Sequence, residues 1–129
     1  RQEGCTLVVT ASEDGEAAEE LVNAGAEVIQ LSSASHGVNL QELMKYLADR
    51  ECNEVMIEAG ATLTGSAIAC GIVDELVIYL APHIMGADAK GMFRIPGLNA
   101  MEDRIELSIV DVRSVGDDIR VTAIVKDKG

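Results

Sequence analysis

The strongest constraint on this chain is an alternation between short apolar runs and helix-period segments, from Cys5 to Ala81. Residues 5–10, 27–31, 53–57 and 73–81 predict strands, because each run is apolar and bounded by turn or helix signals. Residues 16–24 predict a helix with Ala17, Ala18, Leu21 and Val22 inward and Gly25 as its stop. Leu40, Leu43, Met44, Leu47 and Ala48 fall at i, i+3, i+4, i+7 and i+8, the clearest amphipathic helix in the chain. Asn39 supplies its cap, and Glu42 three residues on completes a capping-box-like start. Residues 62–70 predict a third helix, rich in Ala, Gly, Ser and Thr and closed by Gly71. Strands and helices in turn predict a parallel α/β sheet with right-handed crossovers.

Pro82 ends that regime. Residues 83–99 hold Gly86, Gly91, Pro96 and Gly97 with no period, which reads as a long loop. Residues 32–37 read as a shorter polar loop containing His36, and both His36 and His83 read as ordinary loop histidines. Alternation follows, with Ile105, Leu107, Ile109, Val110 and Val112, then Ile119, Val121, Ala123 and Val125. Gly116-Asp117-Asp118 between them predicts a β-hairpin. The sheet is therefore expected to be mixed.

Charge narrows the partners. Ten Lys and Arg stand against 22 Asp and Glu, a formal net charge of -12 with no basic stripe, which argues against nucleic acid. No apolar run is long enough to span a bilayer as a helix. Three scattered cysteines, Cys5, Cys52 and Cys70, predict reduced thiols and a reducing compartment rather than a disulfide framework. No spacing of Cys and His predicts zinc.

The most informative stretch is Val55-Met56-Ile57-Glu58-Ala59-Gly60-Ala61-Thr62-Leu63-Thr64-Gly65-Ser66. A buried strand ends in a carboxylate, then glycine, then a helix start. Helix starts carry unpaired N–H groups and the positive dipole end, which suit phosphate. The same pattern also serves as a tight strand-to-helix turn with a capping Thr, its small residues there for close packing.

Four blocks in order carry a resemblance. They are Glu58-Ala59-Gly60-Ala61-Thr62-Leu63-Thr64-Gly65, then Gly71-Ile72-Val73-Asp74-Glu75-Leu76, then Ala81-Pro82-His83-Ile84-Met85-Gly86-Ala87-Asp88-Ala89-Lys90-Gly91, and last Val115-Gly116-Asp117-Asp118-Ile119. Together they resemble the reductase domain of the bacterial riboflavin-biosynthesis deaminase-reductases, clearly from about Val38 onward and weakly before it. The resemblance implies a dihydrofolate-reductase-like fold: three-layer α/β/α with a mixed, mostly parallel sheet ending in an antiparallel hairpin. It implies NADPH-dependent reduction of 5-amino-6-(5-phosphoribosylamino)uracil, opening the ribosyl ring to a ribityl chain. Glu58 then belongs to the substrate side. Gly60, Ala61, Thr62, Leu63, Thr64, Gly65 and Ser66 cradle the NADPH diphosphate. No catalytic acid–base residue and no metal ligand is assigned. Asp74-Glu75 reads as a solvated junction, Asp88 and Lys90 as a loop feature, and Cys70 as a small buried side chain. The family also implies a cytoplasmic homodimer. Residues 1–129 are expected to be the C-terminal part of one reductase domain, lacking its first strands and any fused zinc deaminase, and so to turn over poorly alone. The alternatives are another dihydrofolate-reductase-like NADPH oxidoreductase and a non-catalytic ligand-binding or oligomerisation domain.

Overall fold

A computed structural model describes residues 4–34 and 37–126. The chain divides into two compact units, Arg1–Val55 and Met56–Gly129.

In the first unit, β1 (Leu7–Thr10) and β2 (Glu27–Gln30) pair in parallel, with Val8 opposite Val28. Helix α1 (Gly15–Asn23) links them, which is the expected strand–helix–strand crossover. Asp14 starts the helix. Its Oδ1 accepts from the Glu16 and Ala17 amides, both at 3.2 Å, a cap worth about 1 kcal/mol. Gly25 stops it at φ +93°, where the Gly25 and Ala26 amides return to the Val22 and Leu21 carbonyls. The expected inward face is only partly realised. Ala18 is half-buried, but Ala17, Leu21 and Val22 are exposed. A four-residue strand offers too little surface to cover the whole apolar stripe.

The segment expected as a polar loop contains a small ladder. There β3 (Ser33–Ala34) pairs antiparallel with β4 (Gly37–Val38). His36 lies outside the described residues. Helix α2 (Leu40–Asp49) follows, with Asn39 Oδ1 accepting from the Glu42 amide at 3.1 Å. The capping box is half formed. Glu42 turns its carboxylate to the Ser32 amide, at 2.9 Å, and to the Ser32 hydroxyl. The Asn39 amide donates instead to the Ser32 carbonyl at 2.9 Å. Leu40, Leu43, Met44 and Leu47 are half-buried, while Ala48 is exposed. At the far end, Arg50 Nη1 reaches both Glu27 carboxylate oxygens at 2.8 Å, and Tyr46 donates to the same carboxylate at 3.0 Å. This joins α2 to β2.

The strand expected over residues 53–57 forms no ladder among the described residues. Its side chains suit a strand, but a strand exists only where another backbone meets its N–H and C=O groups. Val55 and Met56 are exposed, and the segment spans the join of the two units. Among the described residues parallel pairing is therefore confined to β1 and β2, and no mostly parallel sheet is formed. The α/β class and the closing hairpin both hold.

The second unit contains α3 (Ala61–Ala69), β5 (Glu75–Leu80), a 3-10 turn (Met101–Asp103), β6 (Leu107–Val115) and β7 (Asp118–Val125). The strands form one antiparallel sheet in the order β5-β7-β6. Gly116 turns the hairpin at φ +62°, the first central position where a two-residue turn requires it. A register shift between Ile109 and Asp111 moves Asp111 to the face of its ion-pair partners. Its Oδ2 accepts from Arg113 Nε at 2.7 Å and Arg120 Nη2 at 3.2 Å. The core is small: Gly65, Ala67 and Ile68 from α3, Leu76 from β5, and Thr122 and Ala123 from β7. Leu80, Val112, Ile109 and Ile119 share a face with Leu76 and Ala123 by register, yet stay exposed.

Two outcomes follow. Glu51 closes α2 with φ +63°, a left-handed geometry that costs a non-glycine residue about 1 kcal/mol. Glu51→Gly should therefore raise the stability measured by urea unfolding, by up to about 1 kcal/mol. Hydrogen bonds from Arg50 hold the Glu27 carboxyl below its ordinary 4.5, and those from Ser32 do the same for Glu42. Both contributions are complete above pH 4.5 and fade as pH falls through the lower, folded-state values. Tm followed by circular dichroism should be nearly flat from pH 7 to 5 and drop below about 4.5. Glu42→Gln should blunt part of that drop.

Candidate functional site

The expected site begins with Glu58, two residues before the N-cap of α3. Its carboxylate is exposed and has no hydrogen bond or ion pair to a described residue. Thr64 donates its hydroxyl to the Ala59 carbonyl at 3.2 Å, tying the approach segment onto the helix. Gly60 is the N-cap, in extended geometry at φ -73° and ψ 168°. No side chain caps α3, so the expected capping Thr is not there. The first intrahelical bond runs from the Thr64 amide to the Gly60 carbonyl at 3.1 Å. The Ala61, Thr62 and Leu63 amides therefore precede the hydrogen-bonded ladder, with no side chain closing the end. They sit at the positive end of the helix dipole.

The seven predicted cradle residues divide into two groups. Gly60, Ala61, Thr62 and Leu63 form the open first turn. A Cβ at Gly60 would meet nothing within 4 Å. Thr62 and Leu63 are exposed and Ala61 is half-buried. Thr64, Gly65 and Ser66 are committed to internal contacts. Ser66 donates back to the Thr62 carbonyl at 2.9 Å. Gly65 is buried, and a Cβ there would stand 2.2 Å from the Arg94 carbonyl oxygen. The Arg94 amide in turn donates to the Ala61 carbonyl at 2.9 Å. At Gly65 the missing side chain thus admits the 91–97 backbone. That is the close-packing role read from the small residues of this helix.

A concavity lies elsewhere. A cleft of about 680 Å³ opens at the C-terminal end of α3, with Ile68, Cys70, Asp74, Ile95, Leu98 and Lys126 among its walls. None of Glu58, Gly60, Ala61, Thr62, Leu63, Thr64, Gly65 and Ser66 lines it. Of its two carboxylates, Asp103 accepts from the Asn99 and Ala100 amides at 3.1 and 3.0 Å, while Asp74 is exposed. Size alone does not make this cleft the site. Cys70 there is half-buried, its Sγ 3.5 Å from the Ala67 carbonyl. Asp74 and Glu75 are exposed at the start of β5, as are Asp88 and Lys90 in the loop. His83 is exposed, its Nδ1 3.0 Å from the Pro82 carbonyl. Arg94 was not singled out by sequence. It lies in an aperiodic loop, and only the tertiary contact with Gly65 brings it to α3.

Comparison with known proteins places the chain as a whole. Residues 1–121 match the family model described as the RibD C-terminal domain. The chain is 38% identical over 82 residues to "Riboflavin biosynthesis protein RibD" of Escherichia coli (strain K12), covering 64% of this chain and 22% of that protein. It is 36% identical over 84 residues to "5-amino-6-(5-phosphoribosylamino)uracil reductase" of Buchnera aphidicola subsp. Acyrthosiphon pisum, covering 65% and 41%. Among solved structures, RibD of Acinetobacter baumannii superposes with a TM-score of 0.78 at 26% identity, over 93% of this chain and 31% of that one. The chain thus spans about a fifth of the Escherichia coli relative and shares the α/β fold of the solved RibD.

The two glycines should respond oppositely. Gly65→Ala forces a methyl into backbone and should cost about 1–3 kcal/mol in chemical unfolding. Gly60→Ala enters open space and should stay within about 1 kcal/mol of the parent.

Proposed function

The chain belongs to the RibD C-terminal domain family, and from that premise we propose that it works as part of an NADPH-dependent reductase acting on 5-amino-6-(5-phosphoribosylamino)uracil in riboflavin biosynthesis. The observation that carries this reading is the uncapped start of α3. Three amides precede its hydrogen-bonded ladder, and a glycine beside them leaves room for close approach. The NADPH diphosphate is the anion that suits them. Gly60, Ala61, Thr62 and Leu63 supply this contact, while Thr64, Gly65 and Ser66 hold the turn in shape from behind.

Glu58 stands beside that turn with its carboxylate uncommitted. It accepts hydrogen bonds from hydroxyl or N–H groups of the substrate and fixes how the sugar-bearing end lies. When bound, NADPH supplies the hydride. The protein's share of the chemistry is alignment of donor and acceptor and exclusion of solvent. The activity belongs to a larger assembly. Exposed aliphatic side chains on the β5-β7-β6 sheet support further protein surface over this unit in the complete reductase domain. A cytoplasmic homodimer is the setting that fits the family. Among the described residues, no helix is long and apolar enough to cross a membrane.

The test uses two variants of the full-length protein. Gly60→Val should abolish the NADPH fluorescence response while leaving Tm close to the parent. Glu58→Gln should keep NADPH affinity and raise KM for the aminouracil phosphate roughly tenfold, the loss expected for a hydrogen bond to a charged group. Indifference of both parameters to both changes would point to the non-catalytic alternative.

A further inference from the structure

We propose that one face of the β5-β7-β6 sheet is an interface with a second copy of this chain, in which Glu75 of each copy pairs with Arg120 of the other. The inference gives a surface to the homodimer named above and makes no use of the reading of α3.

The two faces of the sheet differ in chemistry. Residues paired across a ladder point to the same side. One side carries Leu80, Ile109, Val112 and Ile119, all aliphatic, beside the buried Leu76 and Ala123. Such a surface suits the interior of a complete domain. The other side is mixed. Arg120 pairs with both Tyr79 and Arg113, so these three form one row. Thr122, with Val77 and Asp111 beside it, forms the next row, and Ile124 with Glu75 the one after. Tyr79 and Val77 are 55% and 51% exposed. Tyrosine and arginine set among aliphatic groups are enriched at protein–protein interfaces.

The charges on this mixed face are unbalanced from end to end. Arg113 and Arg120 stand directly opposite, a repulsive placement for like charges. Both donate to the same oxygen, Asp111 Oδ2, and each does so through a single nitrogen. The row therefore keeps a surplus positive charge with most of its N–H groups uncommitted. Arg120 is the more loosely held, by one bond of 3.2 Å, and its Nε is buried without a hydrogen-bond partner. Two rows away, the Glu75 carboxylate is exposed and has no partner among the described residues.

This order makes the face its own complement. Successive rows are about 7 Å apart along the strands. Arg120 lies one row to one side of Thr122, and Glu75 one row to the other. A two-fold axis running across the strands, along the Thr122 row, lays the face on its copy. Each Glu75 then comes beside the opposite Tyr79 and Arg120, and Val77 meets Val77 near the axis. Facing sheets stand about 10 Å apart, a gap that an arginine and a glutamate side chain bridge together. The pair is made twice, as a two-fold interface requires. A different acidic partner would satisfy the arginines but meet Glu75 as a repulsion. Only a surface with the reverse order satisfies both ends.

Sedimentation velocity on the full-length protein tests this with charge reversals. The parent should be a dimer. Glu75→Arg and Arg120→Glu should each weaken dimerisation roughly hundredfold or more, because two like-charge contacts replace two pairs. Mixing the two variants in equal amounts should restore the dimer, since both contacts in the mixed pair are again between opposite charges. The double variant Glu75→Arg with Arg120→Glu should dimerise alone. Asp88→Arg, an equal charge change on an exposed loop, should match the parent. Glu75 has no contact to lose, so Glu75→Arg should keep the parent Tm and decides the matter even if Arg120→Glu folds poorly. A monomeric parent, or a Glu75→Arg variant that dimerises like the parent, would overturn the proposal. So would failure of the mixture to recover when both variants are folded.

Discussion

One absent methyl group organises the second unit. Because Gly65 has no side chain, the backbone at Arg94 lies directly on α3, and a single amide-to-carbonyl bond to Ala61 holds it there. A side chain at position 65 would push the loop outward. Arg94 would then leave the opening of α3, and the Ile95–Leu98 stretch would move with it. Small residues in a helix are often read as a route for a ligand. Here the buried glycine admits another part of the same chain, while the exposed glycine five residues earlier remains open.

Much of this was legible beforehand. The helix start at Asn39, the left-handed stops at Gly25 and Gly71, and the Gly116 hairpin all follow from local chemistry, and local chemistry is written in sequence. The errors fall where a partner decides. Residues 53–57 have strand composition but no backbone to pair with among the described residues. Glu42 has the spacing of a capping box, yet Ser32 competes for its carboxylate with both a hydroxyl and an amide. Glu51 closes α2 in left-handed geometry that its side chain disfavours, so nothing in its identity marks the stop. At the candidate site, the open turn was readable from Gly60. The contact between Gly65 and Arg94 was not, because it joins residues far apart in the chain through backbone atoms.

The electrostatics follow the same division between local and acquired contacts. Most described arginines are spent on carboxylates: Arg50 ties α2 to β2, and Asp111 gathers Arg113 and Arg120 across the hairpin. These pairs are solvent-exposed in part, so each adds modestly to stability. Their larger effect is on charge distribution. They neutralise basic side chains across the surface and leave the chain's acidity to dominate. A polyanionic partner is then repelled almost everywhere, and any anion site must be built from backbone dipoles with the few cations left over.

Helix α3 shows how such a site coexists with a small core. Its C-terminal half carries the packing: Ala67 and Ile68 are buried, and Gly71 closes the end with its amide on the Ile68 carbonyl at 3.1 Å. Its first turn does almost none of that work. Leaving a helix start without a side-chain cap forgoes about 1 kcal/mol. Asp14 and Asn39 show that this sequence caps helices where stability is the only demand. Gly60 departs from that habit at a start that has the exposed Glu58 carboxylate two residues before it. A local rule broken while its neighbours obey it is the mark of a position answering to something outside the fold. Under the reading proposed here, that something is the ligand, which completes the cap that the chain itself omits.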